Sequence, residues 1–321
     1  MRFVLLAVTA LLIANARPAF CEEAWPQRPV TIVVPFQAGG SADLLARVAA
    51  QQLQAELGTP FVVENRSGAG GSVGTNYVAK AAADGYTFLL GTFSGVVLNE
   101  FVYSNLPYDS ERELQPVALL VQMPNLLVVN QKIPAKTVPE LINFIKAHDG
   151  KLNYGSSGVG TSSHLSIVMF ELSTGTHMTH VPFRSTTDEV TSLMNGSVDL
   201  AIDSMTTLWP QAQAGTIHAL AVSTATRSAS APDLPTIGET LRGYAVPSWQ
   251  GLFAPAGTPK PIIEKVAAAL TRSFTRPDVV NALTKLGADP ALKGPDEFAE
   301  YIKLEMPKWR DVVKASGVHI D

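Results

Sequence analysis

One arrangement recurs in this chain and constrains its fold more than any other: an apolar strand, a glycine-rich loop, then a helix. In the first copy the β-branched run of residues 31–34 meets Pro35, passes through Gly39-Gly40 and gives way to the helical period Leu44, Leu45, Val48, Leu53 and Leu57. The second copy runs from residues 151–154 through Gly155-Ser156-Ser157-Gly158-Val159-Gly160-Thr161-Ser162-Ser163 into a helix beginning near His164. Strands alternating with helices predict largely parallel sheets covered by helices, with ligands at the carboxyl ends of the strands. A helix that starts behind glycines leaves backbone N–H groups unpaired, and with its dipole these attract an anion or a polar oxygen.

Between the two copies the chain continues the same grammar. Strands are predicted at residues 61–65, 86–90 and 117–121, with the glycine-rich stretch 66–74 leading a helix to about 83 and the loop Gly91-Thr92-Phe93-Ser94-Gly95 closing the third strand. Met123-Pro124 marks a lobe boundary, after which a strand at 125–130 and a helix at 138–147 restart the pattern. Strands at 178–181, 198–202 and 217–223 and helices at 187–195 and 208–214 follow, and residues 248–255 read as a strand returning to the first lobe. The remainder reads as helical, at 259–274, 277–286 and 295–315, each helix opened by a proline. The expected fold is therefore α/β with two lobes, each a mainly parallel sheet flanked by helices: residues 25–122 with 246–321, and residues 123–245. Two crossings between lobes make a hinge.

Residues 1–21 carry one early cation, Arg2, then an apolar run from Phe3 to Ala14, as in a secretory signal, with small-residue cleavage sites at Ala14-Asn15-Ala16 or Ala19-Phe20-Cys21. The run is too short to span a membrane, which takes about 18 or more apolar residues. Cys21 is the only cysteine, so no disulfide forms within the chain, and Phe20 before it is unlike a lipoprotein site. Removal of residues 1–21 takes away two cations and no acid, so the formal charge moves from −4 to −6. An acidic chain without basic runs argues against a nucleic-acid partner.

Each candidate site residue has a plainer reading beside the functional one. Asp43 lies in the first turn of its helix, where the dipole favours a carboxylate by roughly 0.3–1 kcal/mol; facing an anion it would repel, so its expected task is to order the loop. Ser156, Ser157, Thr161 and Ser162 offer hydroxyl donors, although Thr161 or Ser162 also suits a helix cap. Three or four donors at roughly 1.5–3 kcal/mol each would hold a small carboxylate at about micromolar affinity without an arginine. Arg184 is either a counter-charge or a surface cation, and Trp249 either packs the core or lines the cleft. Asp199 and Asp203 share a strand parity, as an acid/base pair would, or stand one exposed and one at the strand's end. His177 and His180, three apart beside a strand, point to opposite faces and argue against a metal site. No nucleophile elbow, Walker loop or dinucleotide fingerprint is present, and no cofactor is expected.

The chain resembles the substrate-binding proteins of tripartite tricarboxylate transporters, the Bug family. The resemblance is carried by Trp25-Pro26-x-x-Pro29, Val34-Pro35-Phe36 with Gly39-Gly40-x-x-Asp43, Val63-Glu64-Asn65-Arg66 with Gly68-Ala69-Gly70-Gly71, and Asp84-Gly85-Tyr86-Thr87. It continues in order through Leu106-Pro107-Tyr108-Asp109, Gly155-Ser156-x-Gly158-x-Gly160-Thr161, His180-Val181-Pro182, Leu234-Pro235-Thr236, and Ser248-Trp249-x-Gly251 to Pro259. It implies a periplasmic Venus-flytrap protein of type 2-like fold that captures a small carboxylate and presents it, as a monomer, to a permease with a large and a small membrane subunit. It further implies that the loops containing Phe36, Gln37, Ala38, Gly39, Gly40 and Asp43 and Ser156, Ser157, Gly158, Thr161 and Ser162 hold the carboxylate, partly through water, with Thr92 and Ser94 on a third loop. Ser185 and Gln250 depart from the family pattern of glycine and an aromatic, which bears on the rest of the ligand. Two other uses of such a cleft are a hydrolase with a serine from the 156–163 loop and a ligand sensor; turnover on ester or amide panels and partner capture distinguish them.

Overall fold

The computed structural model describes residues 25–183, 186–246 and 248–321. The strands are β1 (Val30–Val34), β2 (Phe61–Asn65), β3 (Thr87–Thr92), β4 (Leu114–Gln122), β5 (Asn125–Asn130), β6 (Asn153–Ser156), β7 (Thr179–Pro182), β8 (Leu200–Ser204), β9 (Ile217–Val222), β10 (Trp249–Pro255) and β11 (Asp289–Lys293). The longer helices are α1 (Ser41–Leu57), α2 (Ser72–Ala79), α3 (Val138–Ala147), α4 (Ser162–Thr174), α5 (Thr186–Asn195), α6 (Met205–Gln213), α7 (Lys260–Phe274), α8 (Pro277–Lys285) and α9 (Pro295–Ser316). They build two sheets, ordered β11-β4-β10-β3-β1-β2 and β7-β6-β8-β5-β9.

Both sheets are mixed, which corrects the expectation of mainly parallel ones. In the first, β1 pairs in parallel with β2 and β3, whereas β10 runs antiparallel to β3 and β4, and β11 antiparallel to β4. The second has β6 parallel to β7 and β8, and β5 antiparallel to β8 and β9. The cause is the crossing: β5 and β10 arrive from the opposite lobe, begin at the cleft edge, and so run against the strands that end there. The crossings lie side by side, and the Met123 amide donates to the Ser248 carbonyl at 2.6 Å. β11 lies between the second and third of the expected C-terminal helices, in a remainder for which no strand was expected, and is a second correction. Its five half-buried residues include Pro290, tolerated because β11 is an edge strand, and its apolar signal is weak.

β1 is an unbroken β-branched run because both its faces are covered: Ile32, Val33 and Val34 are fully buried. On one side lies the α1 stripe of Ala42, Leu45, Ala46, Ala49 and Leu53, spaced at three and four residues. On the other, Phe93, Trp249, Phe298 and Trp309 interlock, with ring centroids 5.1 Å apart for Phe93–Trp309 and for Trp249–Phe298. The C-terminal segment reaches back to the first lobe, where the Ile320 amide donates to the Val102 carbonyl at 2.7 Å. Among the described residues no helix is long and apolar enough to cross a membrane. The expected export signal and Cys21 lie outside the described residues.

Candidate functional site

The first loop is shaped from beneath by Asp43, which is almost fully buried. Its Oδ2 accepts from the Gly39 amide at 2.9 Å and from Arg47 Nε at 2.9 Å, and its Oδ1 accepts from Arg47 Nη2 at 3.0 Å and Asn65 Nδ2 at 3.1 Å. Asn65 Nδ2 also donates to the Phe36 carbonyl at 3.1 Å. Burial works to raise the Asp43 pKa, and the bonds from Arg47, the Gly39 amide and Asn65, with the guanidinium charge, outweigh it and leave the carboxyl below its ordinary value. Gly39, at φ +86°, supplies the left-handed turn, and Gly40 caps α1 with no side chain bonded to the helix. Gln37, Ala38, Gly39 and Gly40 are exposed and Phe36 half-buried, so the loop turns bare backbone outward at the start of a 17-residue helix. The second glycine-rich stretch serves packing. A Cβ on Gly74 would stand 2.7 Å from the Cα of Pro35, so α2 rests directly on the base of the first loop.

The loop after β6 is shaped instead by its own hydroxyls. Thr161 caps α4, its Oγ1 accepting from the His164 amide at 3.4 Å and donating to the Gly158 carbonyl at 2.7 Å. The Ser157 amide donates to Ser163 Oγ at 3.0 Å and to Asp203 Oδ2 at 3.2 Å. Ser156 is fully buried, its Oγ 2.6 Å from His180 Nε2, which corrects its expected role as a ligand donor: the hydroxyl is turned inward. The His180 ring stacks on His164 with centroids 3.9 Å apart, and His164 Nδ1 accepts from the Gly160 amide at 3.1 Å. Burial holds His180 at about 4; burial, and then the neighbouring His180, hold His164 at about 3, so both rings are neutral at neutral pH. The structure thus brings a base to Ser156 that no spacing revealed, and the pair braces the loop from below.

Asp203 organises this second loop much as Asp43 organises the first. It does not meet Asp199, whose Oδ2 accepts from the Asn153 amide at 2.8 Å, because the strand starts at Leu200 and leaves Asp199 outside it. Its acidic neighbour is Glu189 of α5, fully buried, with no hydrogen-bond partner for either carboxyl oxygen among the described residues; burial first and the Asp203 charge second push Glu189 well above the usual carboxyl range. Gly155 leaves room for the Glu189 side chain, since a Cβ there would stand 2.7 Å from Glu189 Cγ.

The two loops meet around the third. The Ser162 amide, at the start of α4, donates across the cleft to Ser94 Oγ at 3.3 Å, while Thr92 Oγ1 accepts from the Gly95 amide at 3.2 Å. Thr92 is the β3 partner of Gln250, and Gln250 Nε2 donates to Ser41 Oγ, at the start of α1, at 3.3 Å. The beginnings of α1 and α4 are therefore joined through Ser41, Gln250, Thr92, Ser94 and Ser162. Trp249 faces the other side of β10, 1 % exposed in the aromatic core, so its expected place on the cleft is corrected by strand parity. Arg184 and Ser185 lie outside the described residues. Sequence reasoning missed Arg47, four residues from Asp43 on the same helix, as well as Asn65, His164 and Glu189.

Residues 45–318 match the family model described as the tripartite tricarboxylate transporter family receptor. The chain belongs to that family. It is 34% identical to the protein BugT of Bordetella pertussis over 98% of each chain. Its structure is similar to that of a Rhodopseudomonas palustris protein solved with adipate, with a TM-score of 0.85 and 36% identity over 92% of this chain and 99% of that one. It is also similar to MatC of Rhodopseudomonas palustris with bound malate, at a TM-score of 0.79 and 35% identity over 90% of this chain and all of that one. The members of this family are periplasmic solute-binding proteins.

Proposed function

We propose that this chain captures a small organic carboxylate between its lobes, without chemical turnover, and hands it to a membrane permease with a large and a small subunit. The observation that supports this most is the pairing of two helix starts, α1 behind Gly40 and α4 behind Thr161, across a single hydroxyl-bearing loop. Backbone amides and helix dipoles at both would hold a carboxylate, since the acids beneath them are already engaged, Asp43 by Arg47 and Asp203 by the Ser157 amide. The adipate and malate of the two similar structures are ligands of that chemistry. The binding set is the backbone of residues 36–40 with Thr92, Ser94, Ser157, Gly158 and Ser162, on lobes formed by residues 25–122 with 246–321 and by residues 123–245. Export by an N-terminal signal and action as a monomer complete the reading.

The buried Ser156 favours binding over hydrolysis, because its hydroxyl has no open path to a substrate. A thermal-shift screen of dicarboxylates, tricarboxylates and aromatic acids tests the proposal: a bound acid raises Tm with concentration by mass action. If only neutral or cationic solutes raise it, carboxylate capture is wrong.

A further inference from the structure

Gln250, near the start of β10, reaches the start of α1 through its amide nitrogen and leaves its amide oxygen unused. The side chain is 6 % exposed, its Nε2 is bound to Ser41 Oγ at 3.3 Å, and its Oε1 is buried without a partner among the described residues. A buried amide oxygen left unpaired is costly, and native proteins seldom leave one so. The strand position explains why the group is here. β10 enters from the other lobe, so its first residues lie at the cleft edge, and Gln250 stands opposite Thr92 on one side and Val121 on the other. Ser41, to which the amide is tied, is the first residue of the helix whose start is bare of side-chain caps.

Resting on the carboxylate reading above, we infer that Gln250 sets ligand choice: its free carbonyl accepts a hydrogen bond from a donor that the ligand carries next to its carboxylate. The ligand class is then a carboxylic acid with a hydroxyl or ammonium group on a carbon close to the carboxylate anchored at α1, rather than an unsubstituted acid. An acceptor already unpaired in the free protein favours the acid that brings a donor, because only that acid pairs it on binding.

The test is calorimetric titration of the full chain with three acids of one skeleton, unsubstituted, 2-hydroxy and 2-amino; butanedioate and its derivatives serve first, or whichever skeleton binds in the screen. The wild type is expected to bind one substituted acid roughly tenfold or more tighter than the parent. Gln250→Met should abolish that preference while leaving the parent acid within about threefold of its wild-type affinity. If Gln250→Met does not fold, Gln250→Glu keeps the shape, adds a negative charge, and should move the ranking toward the 2-amino acid by roughly tenfold. An equal loss of affinity for all three acids, an unchanged ranking in either variant, or a wild type indifferent to the substituent would overturn the inference and leave carboxylate capture standing. Binding of no carboxylate would instead overturn the reading on which it rests.

Discussion

Gly40→Val separates the needs of the fold from those of the ligand. Gly40 has φ −79° and ψ 171°, ordinary extended backbone, and a Cβ built there meets only the Gln37 carbonyl oxygen, at 3.6 Å. The fold therefore tolerates a side chain, at a cost of about 1 kcal/mol for a poor helix cap. A carboxylate seated on the amides that follow would be pushed off by the valine methyl groups. Losing two hydrogen bonds to a charged group, at roughly 1.5–3 kcal/mol each, removes roughly 3–6 kcal/mol, which weakens Kd by roughly 10² to 10⁴-fold. Calorimetric titration beside a urea melt reads both quantities from one preparation. Gly74→Ala is the opposite control, since its Cβ would strike Pro35 Cα at 2.7 Å and the Arg66 carbonyl oxygen at 2.8 Å, so stability falls first. A Gly40→Val protein that melts normally and binds the acid within about threefold of wild type would refute the placement of the carboxylate on this loop.

Three further outcomes follow from the buried groups. Asp43→Ala leaves the Gly39 amide without its acceptor and Asn65 with only the Phe36 carbonyl, and should cost roughly 1–3 kcal/mol in a urea melt at pH 7; as the folded Asp43 pKa is depressed, its contribution is present above the unfolded value of 3.8 and lost as pH falls through the folded one. His164 stays neutral in the fold down to about 3, whereas the unfolded chain takes the proton below 6.5, so its contribution is lost as pH falls from 6.5; His164→Asn should lack that slope of about 1.4 kcal/mol per pH unit, and parallel wild-type and variant curves from pH 7 to 5 would exclude it. Glu189 has the opposite sign. Its folded pKa is raised, so its contribution is present below 4.5 and lost as pH rises, and Glu189→Gln, which keeps the shape and cannot ionise, should gain stability on the wild type as pH rises above 4.5, read in urea melts from pH 5 to 8.

The repeated strand, loop and helix were legible because they rest on local pattern: β-branched runs, glycines, and apolar residues at helical spacing. Asp43 was legible as an organiser for the same reason, since its place in the first turn follows from the helix itself. Its partner Asn65 was not, because that contact depends on parallel register, which sets Asn65 opposite Val34 at the shared end of two strands. Strand direction was misjudged where the chain crosses between lobes, since no local pattern records whether a strand starts or ends at the cleft. Glu189 and His164 were hidden by their apolar company, beside Val190 in α5 and Leu165 in α4, where only tertiary packing reveals a buried polar group.

The two loops look alike in sequence and differ in what holds them, and the difference divides their tasks. The first has its shape imposed from below by Asp43, Asn65 and Arg47, none of which belongs to the exposed turn, so residues 37–40 spend only the Gly39 amide, on Asp43, and the Gly40 carbonyl, on the Leu44 amide, and keep the other amides for a ligand. The second consumes its own hydroxyls: Ser156 goes to His180, Ser157 and Thr161 to Ser163, and the Ser162 amide to Ser94 in the opposite lobe. A count of hydroxyls therefore overstates what the second loop can offer. Its amide at Ser162 is already engaged by the first lobe, so a carboxylate arriving there must share or displace the Ser94 bond. Anchoring thus falls to the uncapped start of α1, and the loop after β6 acts as the closing element, whose grip on the ligand and whose grip on the first lobe draw on the same donor.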